Sequence, residues 1–256
     1  MLRKLCLSAV VAVVLVPSML AQTADEIVAK HIAATGGADK IKAAKTVKMT
    51  GKAEMQSMEA PFVMSLKQPN MLRMEITIQG LVLVQAYDGK SGWAIVPFTG
   101  KKDPEAVTAD EAKELQDQAD LWPLLDYQAK GHKVELLGKD KIEGTDAYKL
   151  KLTHANGDVE TLYLDADSFL EIKNEETRTV RGSEQQTETS LGDYREIGGL
   201  MFPFAIESGV KGSPEKQKIT LEKVELNVPV DDSAFKMPPP APAPKTDAKP
   251  ADKPKN

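Results

Sequence analysis

The side chains that could carry acid–base or metal chemistry are few and widely spaced. The 256-residue chain holds three histidines, His31, His132 and His154, and a single cysteine, Cys6. None of the histidines has a second histidine or a carboxylate at the spacing of a metal site on a helix. No nucleophile elbow, HExxH sequence, P-loop or dinucleotide-binding glycine motif occurs either. We therefore predict that the protein is not an enzyme and that it binds neither a metal nor a cofactor.

Charge and composition exclude further classes of protein. The 33 Lys and Arg residues against 38 Asp and Glu residues give a net charge of −5, which argues against binding nucleic acid through a basic face. A single cysteine excludes both a disulfide framework and a cysteine-based zinc site. Aromatic residues make up 5 % of the chain, which disfavours stacking on sugars or bases.

Methionine is the residue type whose distribution indicates binding. Six methionines fall within residues 49–74, namely Met49, Met55, Met58, Met64, Met71 and Met74. Because methionine side chains are flexible and polarizable, a concave surface rich in them suits apolar ligands of varying shape, such as acyl chains. The same spacing also fits methionines that only fill the core between a sheet and a helix, and the sequence leaves both interpretations open.

Alternation of apolar and polar residues predicts the strands that must position these methionines. It is clear over 47–55, 62–66 and 72–78, whereas 81–84 is apolar on both faces, which is typical of a strand covered from both sides. Further runs that predict strands lie at 93–96, 148–152, 162–164, 170–180, 185–194 and 200–206. In the last run, 219–226, the phase slips by one residue, which predicts a bulge. The pattern predicts one antiparallel sheet of about ten strongly curved strands.

Two capping-box sequences predict helices that break this rhythm. They begin at Thr23 and at Thr108, each followed three residues later by a glutamate. The first helix should end near residue 34, before two glycines, with a shorter helix near 39–44. The second carries an apolar stripe formed by Ala112, Leu115, Ala119 and Trp122, and Pro123 interrupts it. We expect these helices to lie against the concave face of the sheet.

The first 21 residues have the sequence of a signal peptide. Arg3 and Lys4 precede an apolar run, Leu5–Val16, and we expect cleavage after Ala21. Cys6 lies at the start of the apolar run rather than after it, so it is not placed to be lipidated. The chain is therefore predicted to be exported, periplasmic and not lipidated, with a retained short membrane anchor as the alternative.

Residues 237–256 differ in composition from the rest of the chain. They hold seven of its 16 prolines, together with alanine and lysine, and have no branched aliphatic or aromatic side chain to bury. Such a segment is predicted to be a disordered Pro/Ala/Lys-rich tail. The folded domain is thereby predicted to span residues 22–236.

Two stretches carry a resemblance to a known family. Lys67–Arg73, with its Pro-Asn pair, is followed by Tyr87–Trp93, with its Asp-Gly-Lys turn, and the two together resemble the LolA/LolB-like periplasmic lipoprotein-carrier superfamily. Residues 192–204 and 226–235 look like those of outer-membrane lipoprotein-sorting proteins. Gln68 stands directly before the proline, where the carrier proper has an arginine linked to lid closure. The resemblance implies a mainly β (α+β) fold, a half-open β-barrel with helices as a lid on its concave face and an apolar cavity for acyl chains.

These observations combine into one functional prediction. We expect a monomeric carrier that holds a lipid acyl chain or the lipid of a lipoprotein beneath a lid built from residues 109–125, with lipoprotein sorting and outer-membrane biogenesis as the role that the resemblance implies. The predicted ligand-binding residues are Met49, Met55, Leu72, Met74, Ile76, Trp93, Trp122 and Leu125. The sequence also leaves open an inner- or outer-membrane protein as a second partner. The alternatives are an envelope sensor or scaffold that binds a protein partner and, third, an enzyme with polar groups converging in its pocket.

Overall fold

The computed structural model describes residues 22–55, 58–100, 103–180 and 183–239. The predicted signal peptide lies outside these residues, as does the predicted tail beyond residue 239, so both remain predictions. Within the described residues, none of the helices combines the length and the apolar character needed to cross a membrane.

The described part of the chain forms three α-helices and one sheet of thirteen strands. The helices are α1 (Ala24–Thr35), α2 (Ala38–Ala43) and α3 (Ala109–Ala119). The strands are β1 (Thr46–Met55), β2 (Met58–Lys67), β3 (Met71–Ile78), β4 (Leu81–Tyr87), β5 (Gly92–Ile95), β6 (Glu105–Ala106), β7 (Lys133–Ile142), β8 (Thr145–Thr153), β9 (Val159–Asp165), β10 (Glu171–Val180), β11 (Ser183–Ile197), β12 (Leu200–Val210) and β13 (Gln217–Leu226). Two short 3₁₀ turns lie at Pro97–Thr99 and Asp232–Ala234.

The sheet is antiparallel throughout and runs in the order β6-β5-β4-β3-β2-β1-β13-β12-β11-β10-β9-β8-β7. Strand β1 therefore pairs with its hairpin partner β2 on one side and with β13 on the other. Among the described residues the edge strands β6 and β7 do not pair with each other. The sheet is thus an incomplete barrel, which confirms the predicted fold class.

The sheet has thirteen strands rather than the predicted ten or so, because in two of them the alternation of apolar and polar residues is too weak to be recognised. Strand β6 has only two residues. In β7 the pairing with β8 shifts between Leu136 and Gly138, which breaks the alternation that marks a strand. The bulge predicted in the last strand is confirmed: Thr50 pairs with Lys223 and Gly51 with Leu221, so Glu222 is the extra residue.

Both predicted capping boxes are present. Thr23 Oγ1 accepts from the backbone N–H of Glu26 at 3.2 Å, and the Glu26 carboxylate accepts from the Thr23 N–H at 3.1 Å. Thr108 and Glu111 make the same reciprocal pair at the start of α3. Gly36 ends α1 with φ +127°, and a Cβ there would lie 2.2 Å from the Gly199 carbonyl oxygen, so both its backbone angle and its close approach require glycine.

The helices cover different parts of the concave face. Helix α1 contacts both β12 and β7, which lie five positions apart in the sheet, so the sheet curves around it. Helix α3 lies over β3, β4 and β5. The prediction that 81–84 is covered on both sides is wrong, because Leu81 and Val82 are 44 % and 43 % exposed at the tip of the β3–β4 hairpin, and only Val84 in the second half of the run is fully buried.

Two hydrophobic cores lie on the concave face of the described sheet, and a small third cluster is formed by Val84, Ala86 and Trp93. The first, which we call the methionine core, lies between α2, α3 and the inner face of β1–β4, β12 and β13, and includes Met49, Met64 and Met74. The second, the leucine core, lies between α1 and β8–β9 and consists of Ile27, Val28, Leu124, Tyr148, Leu150, Leu152, Leu162 and Leu164. Every member of the leucine core is at least nine-tenths buried.

Candidate ligand-binding site

An apolar cavity of about 180 Å³ lies between the start of β1, the end of β2 and the residues that follow α3. Its apolar wall includes Ala44, Val47, Leu66, Leu121, Trp122 and Leu125. The remaining lining is largely charged or polar and includes Lys42, Lys45, Gln68, Asp120, Asp126 and Lys130. Val47, Leu66 and Leu125 also belong to the methionine core. The apolar cavity is therefore the accessible edge of that core.

The residues after α3 reach the cavity because the helix ends early. Asp120 caps the helix, and its Oδ1 accepts from the backbone N–H of Trp122 at 3.3 Å. The N–H of Leu125 donates to the Trp122 carbonyl at 3.0 Å, which turns the chain back toward the sheet. The Trp122 ring then lies 6.3 Å from the ring of Phe202. Trp122 is thus carried by a turn rather than by the helical stripe in which the sequence placed it.

Of the predicted ligand-binding residues, Trp122 and Leu125 line the apolar cavity. Four others lie in or against the methionine core: Met49 and Leu72 are buried, and Met74 and Ile76 are partly buried. They share the inner face of the sheet with the cavity without opening into it. Met55 ends β1, and its side chain lies outside what the structure describes.

Trp93 is placed away from the other predicted residues. It pairs with Ala86 across β4 and β5, and the next residue of β4, Tyr87, belongs to the methionine core. Because successive side chains of a strand point to opposite faces, Ala86 and Trp93 face away from that core. The indole Nε1 donates to the Phe235 carbonyl at 2.7 Å, and the Arg73 guanidinium lies 5.5 Å from the ring. Trp93 therefore anchors the C-terminal turn on the other face of the sheet and does not line the cavity.

The methionines of the inner face form a row across three strands. Met49 pairs with Met64 between β1 and β2, and Met64 pairs with Met74 between β2 and β3. Residues directly opposite in antiparallel strands have adjacent side chains, so the three thioethers lie side by side. Met64 and Met74 are only partly buried. This part of the core can repack more readily than one built from branched side chains.

Gln68 contributes to the position of α2. It lies on the wall of the apolar cavity, and its Nε2 donates to the Ile41 carbonyl at 3.0 Å. The amide therefore joins the β2–β3 turn to the end of α2, at the position where the resemblance would place an arginine.

A polar cavity of about 290 Å³ adjoins the apolar one. Its polar wall is formed by Asn70, Gln116, Asp117, Lys130, His132, His154 and Asn156, and it shares Pro69, Asp120 and Lys130 with the apolar cavity. Lys130 Nζ lies 2.7 Å from Asp120 Oδ2 and donates to the Trp122 carbonyl at 2.8 Å. This ion pair stands between the two cavities. The polar wall comes from three distant turns and from α3, so no local sequence signal reveals it.

The two histidines of the polar cavity have pKa values that shift in opposite directions. Their rings lie 5.0 Å apart. The N–H of Ala155 donates to His132 Nδ1 at 3.0 Å, and burial, with the nearby His154, lowers the pKa of His132. Burial also acts to lower the pKa of His154, but the Glu160 carboxylate, 3.4 Å from Nε2, together with the charges of Asp117 and Glu176, outweighs burial and raises that pKa. His154 is therefore the more readily charged of the pair.

Metal binding has no geometric support in the described part of the chain. Among those residues no group of three or more His, Cys, Asp or Glu side chains is placed to hold an ion. The histidine pair acts as a hydrogen-bonding wall instead.

Residues 109–130, which we call the α3 segment, are held to the rest of the protein by buried apolar side chains and by polar contacts. The buried side chains are Leu115, Ala119 and Leu125 in the methionine core and Leu124 in the leucine core. The polar contacts join Asp117 to Asn156 (3.1 Å), Lys42 to Asp126 (2.7 Å) and Tyr127 to Asp25. Exposed pairs of this kind each contribute about 0–1 kcal/mol, so they restrain the segment weakly.

Comparison with known proteins places the fold. A DUF1329 family protein from Desulfovibrio piger is similar with a TM-score of 0.59 and 10 % identity, over 84 % of this chain and 98 % of that one. A LolA superfamily protein from Nitrosomonas europaea is similar with a TM-score of 0.57 and 17 % identity, over 84 % of this chain and 98 % of that one. A putative outer-membrane lipoprotein-sorting protein domain from Vibrio parahaemolyticus is similar with a TM-score of 0.57 and 9 % identity, over 82 % of this chain and 94 % of that one.

Similarity in sequence alone is much weaker. No family model matches the chain, and no curated protein matches it significantly. At these identities the structural likeness establishes a common fold, that of the LolA/LolB-like proteins, and the ligand has to be argued from the site.

Proposed function

We propose that this protein, with its LolA/LolB-like fold, is a non-enzymatic periplasmic carrier that holds a lipid acyl chain in the apolar cavity beneath the α3 segment. The observation that carries the proposal is the position of the cavity. It opens at the edge of the core that contains the methionine row, beside a segment that joins the sheet through a few buried side chains and exposed polar contacts. A cavity at the edge of an apolar core, with an adaptable wall and one covering segment, has the properties needed to admit and release a chain.

The size of the apolar cavity requires the α3 segment to move. Its volume of about 180 Å³ is below the roughly 300–1,000 Å³ of small-molecule sites. Burying a chain of about a dozen methylenes contributes on the order of 10 kcal/mol, at ~0.8 kcal/mol for each. This exceeds the about 0–1 kcal/mol of each surface contact that restrains the segment. The entering chain also replaces apolar contacts that buried residues of the segment, such as Leu125, lose when it moves. Ligand entry can therefore displace the cover and widen the space above the methionine row.

Export and lipoprotein sorting belong to the same proposal. The signal-like N-terminus predicts export, and Cys6, the one cysteine, lies within it. The mature chain would then have no thiol to oxidise in the periplasm. A lipoprotein would present the same acyl chains as a free lipid, so both fit the apolar cavity.

Native mass spectrometry tests the proposal directly. The full chain is expressed with its own leader, purified from the envelope and measured before and after denaturation. We expect a lipid-sized adduct that denaturation releases. A protein that is consistently empty and that takes up no fluorescent fatty acid would contradict the proposal.

A matched pair of substitutions locates the site. Leu125→Asp places a charge in the wall of the apolar cavity, whereas Leu137→Asp makes the same change at a residue of β7 that is 52 % exposed. We expect only the first to abolish fatty-acid uptake. A thermal melt accompanies both variants. Equal uptake by two folded variants would place the ligand elsewhere.

Movement of the α3 segment has its own test, which does not depend on substitutions in the core. Asp117→Cys combined with Asn156→Cys, in a Cys6→Ser background, puts thiols where α3 now meets the β8–β9 turn. A short bis-maleimide should join them and stop uptake, while the unlinked variant still binds. Unchanged uptake after cross-linking would show that the α3 segment does not need to open.

A further inference from the structure

The two cavities are neighbours and share Pro69, Asp120 and Lys130. On one side of these residues the lining includes core side chains such as Leu66 and Leu125 beside several charged residues, whereas on the other side most of the lining residues are polar and none belongs to either core. An amphiphilic lipid has the same division, because its chain is covalently joined to a polar headgroup. The cavities therefore match the two parts of one molecule.

The polar cavity carries charges of both signs. Asp117 and Asp120 supply carboxylates, and Lys130 supplies an ammonium group. Both oxygens of Asp117 accept from the Asn156 side-chain amide, at 3.1 and 3.2 Å, which fixes that carboxylate in the wall. Lys130 and Asp120 neutralise each other as an ion pair, so Asp117 gives the polar cavity its remaining negative charge. An ammonium group on the ligand complements this carboxylate.

One of the two histidines provides a donor for an anionic group. The N–H of Ala155 occupies Nδ1 of His132, so the neutral ring carries its proton on Nε2. Nε2 of His154 lies 3.4 Å from a Glu160 carboxylate oxygen, so the proton of the neutral His154 ring is held there and Nδ1 is an acceptor. The His132 N–H can donate to a phosphate, and the Asp117 carboxylate on α3 can accept from an ammonium group.

We propose that the polar cavity binds the zwitterionic headgroup, a phosphate linked to an ammonium group, of the same amphiphile whose acyl chain occupies the apolar cavity. His132 Nε2–H donates to the phosphate, and Asp117 accepts from the ammonium group. The inference rests on the proposed acyl-chain function, since it assigns the other end of the same ligand.

Three probes of one chain length separate this inference from the function on which it rests. Myristate, myristoyl lysophosphatidylethanolamine and myristoyl lysophosphatidylglycerol each compete against a fluorescent fatty acid at pH 7, and glycerophosphoethanolamine supplies the headgroup without a chain. We expect the ethanolamine lipid to compete about tenfold better than the glycerol lipid, since one charge-assisted hydrogen bond contributes roughly that factor. The free headgroup should not compete.

The possible results distinguish failure of the proposed function from failure of the headgroup assignment. If no probe binds, the proposed function is wrong. If myristate binds and the two lysolipids compete equally, the carrier function stands and the headgroup assignment is wrong. Competition by glycerophosphoethanolamine alone would make the polar cavity a site for a free phosphoester, which also overturns the inference.

Substitutions then test the charge of Asp117 separately from its contact with the β8–β9 turn. Asp117→Asn removes the charge, and Asn156→Ala breaks the same contact but keeps the carboxylate. We expect the first to abolish the preference for the ethanolamine lipid, and the second, which loosens the carboxylate but keeps its charge, to weaken the preference without abolishing it. Asp167→Asn, in an exposed turn outside both cavities, is the control. A preference that survives Asp117→Asn, or that Asn156→Ala removes equally, would overturn the assignment.

Discussion

The two hydrophobic cores of the concave face both contain many branched side chains, but methionines occur only in the methionine core. In the leucine core, Leu150, Leu152 and Leu164 are completely buried beside α1. In the methionine core, Met64 and Met74 remain partly exposed below α3. Branched side chains in close packing favour one arrangement, whereas methionines tolerate several. One part of the sheet is thus a fixed support, and the other has the freedom that a ligand site requires.

The cores also differ in the titratable groups beside them. At the leucine core, the Nδ1 of His31 lies 2.9 Å from the Phe169 carbonyl, and burial lowers the pKa of His31. Glu171 lies on β10 opposite Leu164, and burial, with the charge of Glu160, raises its pKa. Both groups are held neutral by their surroundings. The fixed support therefore has a stability that depends on pH through buried neutral groups.

The largest expected effect tests the packing difference itself. Leu150→Ala should lower the free energy of unfolding by about 2–5 kcal/mol, since it empties a fully buried site in the rigid core. Met64→Ala should cost clearly less, because Met64 is only partly buried and its neighbours can fill the space. Urea unfolding of both variants measures the difference. Equal losses would mean that the two cores are packed alike.

The second prediction concerns pH. The folded protein keeps Glu171 protonated up to a pKa of about 8, whereas its ordinary value is 4.5, so the unfolded chain releases the proton first. Stability should therefore fall as the pH rises from 4.5 to 8. Glu171→Gln removes this loss and should raise Tm at pH 8 by several degrees, at about 2–4 °C per kcal/mol.

The glutamine variant keeps the local geometry, because its amide oxygen can still accept from Asn174 Nδ2, now 2.8 Å from Glu171 Oε1. Melts at pH 5 and pH 8 should differ less in Glu171→Gln than in the wild type. The exposed Glu196→Gln is the control and should follow the wild type. If Tm changed with pH equally in the wild type and in Glu171→Gln, the prediction that Glu171 makes the stability of the leucine core depend on pH would be wrong.

A smaller effect is expected on the outer face, which neither core includes. Trp93→Phe deletes the indole donor to the buried Phe235 carbonyl and should cost about 1–3 kcal/mol. Fatty-acid uptake at a temperature where the variant is folded should stay unchanged. Reduced uptake by the folded variant would bring Trp93 back into the site.

The smallest effect on stability tests the freedom of the methionine core. Met74→Leu conserves volume and should change the free energy of unfolding by less than about 1.5 kcal/mol. It should nevertheless sharpen selectivity, measured as the ratio of oleate to stearate uptake, because a branched side chain adapts less to a bent chain. Met201→Leu, outside the methionine row on β12, is the control. An unchanged ratio in Met74→Leu would argue that the row only fills the core.

Local signals predicted most of the elements. Thr23 and Thr108 begin helices because capping boxes act within four residues, and the slip near Glu222 is a local break in alternation. Trp93 was misplaced because 92–95 is apolar at nearly every position, so alternation cannot choose its face. Phe235, far along the chain, covers that face. The residues of the polar cavity lie in turns that only the complete sheet brings together, so no short stretch of the sequence contains enough of them to predict the cavity.

The pairing of β1 with β13 bears on when the protein can fold. The hairpins from β1 to β5 need only neighbouring residues and can form as the chain is made. The methionine core also needs Leu221 and Val224, which belong to a strand from the far end of the described chain. Contacts so distant in sequence make folding slow and place its completion after most of the synthesis. Such a delay suits a chain that, as we propose, crosses a membrane before it closes around a ligand.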